Sequence, residues 1–134
     1  MKNLAILLRA LQLYAHNAHV VSCKGPSFRS DHKMLGHLYA EYTVDYDQVV
    51  ERMVGLTGTA DVQAITKSAC DVCCATETPK DAATAFNMIL KAEHALCDQL
   101  VKENLTATLG TQDLIQKLAG NSETRQFSLR ERLA

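Results

Sequence analysis

The chain has 134 residues, 47% of them hydrophobic and 22% charged, with a net charge of −1. That suffices for one domain with its own core and excludes a strongly basic protein drawn by bulk charge to nucleic acid or an acidic membrane. Five cysteines, an odd count, predict reduced thiols and a cytoplasmic setting. The opening apolar run Leu4-Ala5-Ile6-Leu7-Leu8 is interrupted by Arg9 and Gln12, too short for a membrane span and without a small-residue cleavage pattern.

In chain order, Leu4, Leu7, Leu8, Leu11 and Ala15 fall on one face of a first predicted helix, about residues 3–22. Lys24-Gly25-Pro26 breaks the chain sharply. A second helix, about 29–57, carries Leu35, Leu38, Tyr39, Tyr42, Tyr46, Val49, Val50 and Met53 at helical spacing, with Gly55 and Gly58 marking its end. A shorter helix is predicted at about 61–76. Thr78-Pro79 reads as cap and first residue of a third long helix, about 79–109, with Phe86, Ile89, Leu90, Leu96, Cys97, Leu100, Val101 and Leu105 on its apolar face. Gly110-Thr111 closes it and caps a fourth, about 111–132, whose stripe is Leu114, Ile115, Leu118, Phe127, Leu129 and Leu133. Gly120-Asn121 is a candidate interruption of this last helix. No period-2 run is long enough for a strand. The prediction is all-α: a single domain over residues 1–134, a four-helix bundle with a short extra helix on the crossover between the second and third long helices.

A plain bundle does not account for several polar residues. His16 and His19 lie three apart near the end of the first helix, and His32 begins the second just past the turn, so His19 and His32 can approach. Asp47 and Glu51 lie four apart on the second helix and share a face. Imidazole with carboxylate suits iron, zinc or manganese. His32 and Asp47, however, are 15 residues apart on one helix, roughly 22 Å at about 1.5 Å per residue. Metal–ligand bonds are about 2 Å. These residues can share an ion only across a two-fold contact, where an antiparallel copy of the second helix sets the histidine end of one against the acidic end of the other. Spacing alone also fits helix-end histidines and a solvated acidic face.

Ala18-His19, Lys24-Gly25-Pro26-Ser27-Phe28, Asp31-His32 and Asp47 with Glu51-Arg52 resemble the signature of the Dps family within the ferritin-like superfamily. Val50-Glu51-Arg52-Met53-Val54-Gly55-Leu56, Asp113-Leu114-Ile115 and Glu123 with Phe127-Ser128-Leu129 resemble it more loosely, the last favouring an unbroken fourth helix. The resemblance implies a ferritin-like fold and a hollow twelve-subunit shell built from two-fold dimers. It implies a di-iron ferroxidase site with His19 and His32 from one subunit and Asp47 and Glu51 from its neighbour. Fe(II) would be oxidised there by peroxide or oxygen and stored as ferric mineral, with zinc or manganese able to take iron's place, protecting against oxidative damage.

The chain departs from the pattern at two points. Gly36 stands where many members carry an aspartate, leaving His37 and Glu41 as the nearby substitutes. The stretch between His19 and Gly25 is one residue longer, which keeps His16 open beside His19 as the first-helix ligand. The alternative is a Dps-fold assembly without catalysis, or a DNA-associated shell with an impaired iron site. Direct DNA binding through a basic tail is not expected: only Lys2 precedes the first helix, and Glu123 and Glu131 dilute Arg125, Arg130 and Arg132.

Cys70, Cys73 and Cys74 form either a redox or metal cluster or small residues packed beneath the crossover. Glu93-His94 is not the Glu-x-x-His pair of classical di-iron bundles and is expected at the surface. Tyr39, Tyr42 and Tyr46 are expected in the core or at a subunit contact.

Overall fold

A computed structural model describes residues 1–134. It is all-helical: α1 Lys2–Val21, α2 Phe28–Thr57, α3 Val62–Cys74, α4 Ala82–Asn104 and α5 Leu109–Leu133, with a single 3-10 turn at Gly25–Ser27 leading into α2. The fourth long helix is continuous, because Gly120 and Asn121 sit in mid-helix without breaking its backbone.

Each helix begins or ends for a local reason. Gly58 adopts a left-handed φ of 83° and its N–H closes α2 onto the Val54 carbonyl, a conformation that costs glycine least. Gly55 is helical and breaks nothing. Asp61 accepts from the Ala64 amide and caps α3. Two predicted caps are corrected. The α4 cap is Asp81, which accepts from the Thr84 amide at 2.8 Å; Thr78 and Pro79 lie in the preceding loop. The α5 cap is Thr108, which accepts from the Thr111 amide, so Thr111 is inside the helix and not its cap. In both cases the hydroxyl or carboxylate nearest the true first turn outcompetes an equally suitable residue a few positions away.

The directions of the long helices follow from contacts at their ends. The Met1 ammonium donates to Glu103 at 2.7 Å, and the Ser22 hydroxyl donates to the Pro79 carbonyl at 2.6 Å, so α1 and α4 run antiparallel. Arg132, near the end of α5, grips Asp31, near the start of α2, through two bonds of 2.7 and 2.9 Å. Thus α2 and α5 also run antiparallel. The short turns at 22–27 and 105–108 reverse the chain between α1 and α2 and between α4 and α5. Helices α2 and α4 therefore point the same way, and the crossover that joins them carries α3, which packs on α1.

One contiguous core of 20 buried residues joins all five helices, with Tyr42, Phe86, Leu4, Leu35, Ile65 and Leu118 among its largest members. The periodicity overreached at a few positions: Val101 and Phe127 are 66% and 59% exposed and lie off the core faces of their helices, and Leu105, 80% exposed, lies beyond the end of α4, which stops at Asn104 and not near residue 109. No helix is long and apolar enough to cross a membrane.

Candidate metal centre

The α1–α2 turn brings His19 and His32 together. Their rings stack at a centroid separation of 3.8 Å and an interplanar angle of 23°. The His19 Nδ1 lies 2.8 Å from the His32 carbonyl oxygen, and the His32 Nδ1 lies 3.1 Å from the His19 carbonyl oxygen. A carbonyl only accepts, so each Nδ1 carries the proton. In the neutral rings each Nε2 then keeps its lone pair. This is the tautomer fixing found around metal-bound histidines, where the second ring nitrogen donates to a carbonyl or carboxylate. Phe28 stacks on the other side of His32 at 5.2 Å.

Gly36 lies one turn along α2 from His32 and faces the His19 ring. A β-carbon at position 36 would stand 3.0 Å from His19 Cε1 and 3.2 Å from His19 Nδ1. The aspartate of the family pattern would therefore compete with His19 for space.

The other predicted ligands lie elsewhere. His16 is exposed and stacks on Tyr39 at 4.5 Å, away from the His19–His32 pair. His37 is 76% exposed and pairs with Glu41 at 3.3 Å along the helix surface. Asp47 and Glu51 are exposed near the far end of α2, where Glu51 borders a cleft with Gln48, Arg52, Gly55, Leu56 and Leu114. Because α2 is one unbroken 30-residue helix, the acidic pair and the histidine pair stay about 22 Å apart within the chain. No group of three or more His, Cys, Asp or Glu side chains within one chain is placed to hold a metal ion.

Sequence reasoning missed a buried polar network beside these elements. Glu93 is fully buried, which corrects its expected surface position; only His94 is exposed. Its carboxylate accepts from Tyr42, from Ser122 and from Arg125 Nε, the last at 2.5 Å. Arg125 Nη1 donates to Asp45 at 2.9 Å, and Asn121 donates to the same carboxylate at 3.0 Å. Arg125 is therefore structural and adds nothing to a surface of positive charge. Burial works against its charge, yet Glu93, Tyr42 and Asp45 raise its pKa well above the ordinary range. Burial, then the Glu93 charge, pushes the Tyr42 phenol far above its usual value. The signal for this network was present in the sequence as Asp45, Glu93 and Arg125 lying in register with core positions of their helices.

All five cysteines are free. Cys73 is buried against α1, where the Asn17 amide points at its sulfur, whereas Cys70 and Cys74 are exposed. Burial, followed by Cys74 and Cys70, raises the Cys73 thiol pKa. Tyr42 is core, while Tyr39 and Tyr46 are half-buried at the outer α1–α2 seam, where Arg9 lies 5.2 Å over the Tyr46 ring.

Neither a scan against models of protein families nor a search of curated proteins gives a match for this chain.

Proposed function

We propose that the chain is a Dps-like mini-ferritin subunit. It oxidises Fe(II) at a site shared by two copies and stores the ferric product in a hollow shell, which protects its surroundings from peroxide and iron. The observation that carries the reading is the His19–His32 pair. Each Nδ1 is committed to a backbone carbonyl, so each Nε2 is the nitrogen left for an ion. The helix directions support a ferritin-like four-helix bundle, since α2 and α4 run the same way and need the long crossover that α3 occupies.

On this reading α2 packs antiparallel on α2 of a second copy. Asp47 and Glu51 of that copy then meet His19 and His32, and the dimer holds two equivalent sites. Nitrogen and carboxylate oxygen suit Fe(II), with zinc or manganese as competitors. The carboxylates offset the charge that builds as Fe(II) becomes Fe(III), and the locked imidazoles fix where the ion sits. Electrons pass to peroxide or oxygen, and the ferric product collects as mineral. Dimers of this kind build a twelve-subunit shell in the cytoplasm.

Fe(II) and peroxide, added together and followed by ferric absorbance, test the chemistry. The expected result is oxidation faster than in buffer, abolished by His32→Ala and by Glu51→Ala. Wild-type protein that forms an intact assembly and gives no acceleration refutes the ferroxidase reading. Light scattering that finds only monomers at micromolar concentration refutes the shared site.

A further inference from the structure

We propose that Gly36 is a positioning residue for the metal-binding histidine pair: its missing side chain is the seat on which the His19 imidazole rests. The proposal rests on the reading of that pair as the nitrogen half of a metal site.

Four layers stack in order at the start of α2. Phe28 lies against His32 at 5.2 Å, His32 against His19 at 3.8 Å, and His19 against the backbone face of Gly36. Phe28, His32 and Gly36 recur every fourth residue on α2 and share one face. The His19 ring, arriving from α1, is inserted between the second and third of them. A β-carbon at position 36 would come within 3.0 Å of His19 Cε1 and 3.2 Å of Nδ1, inside the roughly 3.5–4.0 Å of a comfortable carbon contact.

The ring has no easy way to yield. Moving toward His32 is blocked by the 3.8 Å stack. Moving outward, even by the few tenths of an ångström that relieve the contact, stretches the Nδ1–H bond to the His32 carbonyl from its 2.8 Å, and this bond fixes the tautomer. Rotating in place carries Nδ1 off that carbonyl. Any side chain at 36 therefore acts on His19, even the smallest one. It acts without touching the ion, so its effect is one of position. Elsewhere in a helix interior alanine is preferred to glycine. The glycine here is explained by the ring it admits. With this seat filled by His19, position 36 of α2 offers no carboxylate to the ion.

The test compares wild type, Gly36→Ala, His19→Ala and the double variant as full chains. Circular dichroism checks the fold. Side-chain 1H–15N NMR, without metal, reads the imidazole Nδ1–H protons. Titration with Co(II), an oxygen-stable stand-in for Fe(II), reads affinity and ligand-field bands. The expected result for Gly36→Ala is unchanged helix content, a shifted or weakened His19 Nδ1–H signal and Co(II) affinity weaker by about 10-fold, the lower end of the effect of losing an outer hydrogen bond on a ligand. In the His19→Ala background the same substitution should change affinity by less than about twofold, because the ring it acts on is gone. A His19 signal unchanged in position and strength in Gly36→Ala, or an equal loss of affinity in both backgrounds, overturns the proposal. Wild-type protein that binds no Co(II) refutes the metal reading and with it the effect on affinity; the NMR comparison decides separately whether Gly36 seats the ring.

Discussion

If each site takes its histidines from one copy and its carboxylates from another, two dead chains can make a live one. Consider His19→Ala/His32→Ala as one parent and Asp47→Ala/Glu51→Ala as the other. Each parent homodimer has two broken sites. A mixed dimer has one site lacking everything and one site intact, since the intact histidines of the second chain meet the intact carboxylates of the first. Random pairing at equal amounts makes about half the dimers mixed, so about one quarter of wild-type sites return. A site within one chain would return none, and α2 forbids such a site, because it holds His32 and Asp47 about 22 Å apart on an unbroken helix. The assay co-expresses the two parents with different tags, purifies assemblies carrying both, and measures the initial rate of ferric absorbance with peroxide. The composition is confirmed by mass. A rate no greater than that of either parent, in assemblies shown to be mixed, refutes the shared site.

Arg125→Met strands the Glu93 and Asp45 carboxylates in the core; breaking a buried pair costs roughly 3–5 kcal/mol. Spread over a 134-residue chain, that lowers Tm by about 10–18 °C, and a melting curve within about 3 °C of wild type would show the network to be dispensable. Tyr42→Phe removes a donor to the charged Glu93, so it should cost about 1.5–3 kcal/mol at neutral pH. The raised phenol pKa means that the folded chain holds that proton longer than the unfolded one. Its contribution is thus complete below about pH 10 and is lost as pH rises further. Denaturant titrations should find the gap between wild type and Tyr42→Phe narrowing above that pH; a constant gap would contradict the sign. Cys70 and Cys74 should react quickly with a thiol reagent, whereas Cys73, buried and with a raised thiol pKa, should react only on unfolding. Three fast thiols on that helix would refute its docking on α1.

The helices were legible because hydrophobic spacing recurs along the chain, and Leu35, Leu38, Tyr42 and Val49 are buried as their register requires. Their ends were less so. Thr78 and Asp81 both satisfy the chemistry of a cap, and only packing decides which backbone turn closes. The network was hidden for a related reason: a charged residue on an apolar stripe reads as a register error until its partner on another helix is known. Glu93 needed Arg125, 32 residues away, to make sense of its burial. At the candidate site, the turn placed His19 near His32, and the helix rise separated His32 from Asp47. Gly36 stood out in the sequence as a missing ligand. Its contact with the His19 ring could not be read from spacing, because that contact joins two helices.

The buried ion pairs also bear on the proposed site. An intersubunit site on antiparallel copies of α2 works only if the two ends of that helix stay a fixed distance apart and face the same way. A 30-residue helix tied at one point would be free to curve, and long helices commonly do. Here α2 is tied along its length on the inner face. Asp31 is held by Arg132 near one end, and Tyr42 and Asp45 are held by Glu93 and Arg125 at the middle. Near the other end, Arg52 comes close to Gly110 at the start of α5. These contacts fall on the side of α2 that faces α4 and α5, leaving His32 with the α1 turn and Asp47 and Glu51 exposed. On the proposed reading the network acts as a spacer bar: it contributes no ligand, but it would keep the histidine end and the acidic end in register for a second copy. Loosening it should lower ferroxidase activity before it disrupts folding: in Asp45→Asn, where the shape is kept and one charge is removed, activity should fall at temperatures well below the melting transition. Activity that tracks wild type up to the onset of melting would separate the network from the site and leave it a purely structural feature.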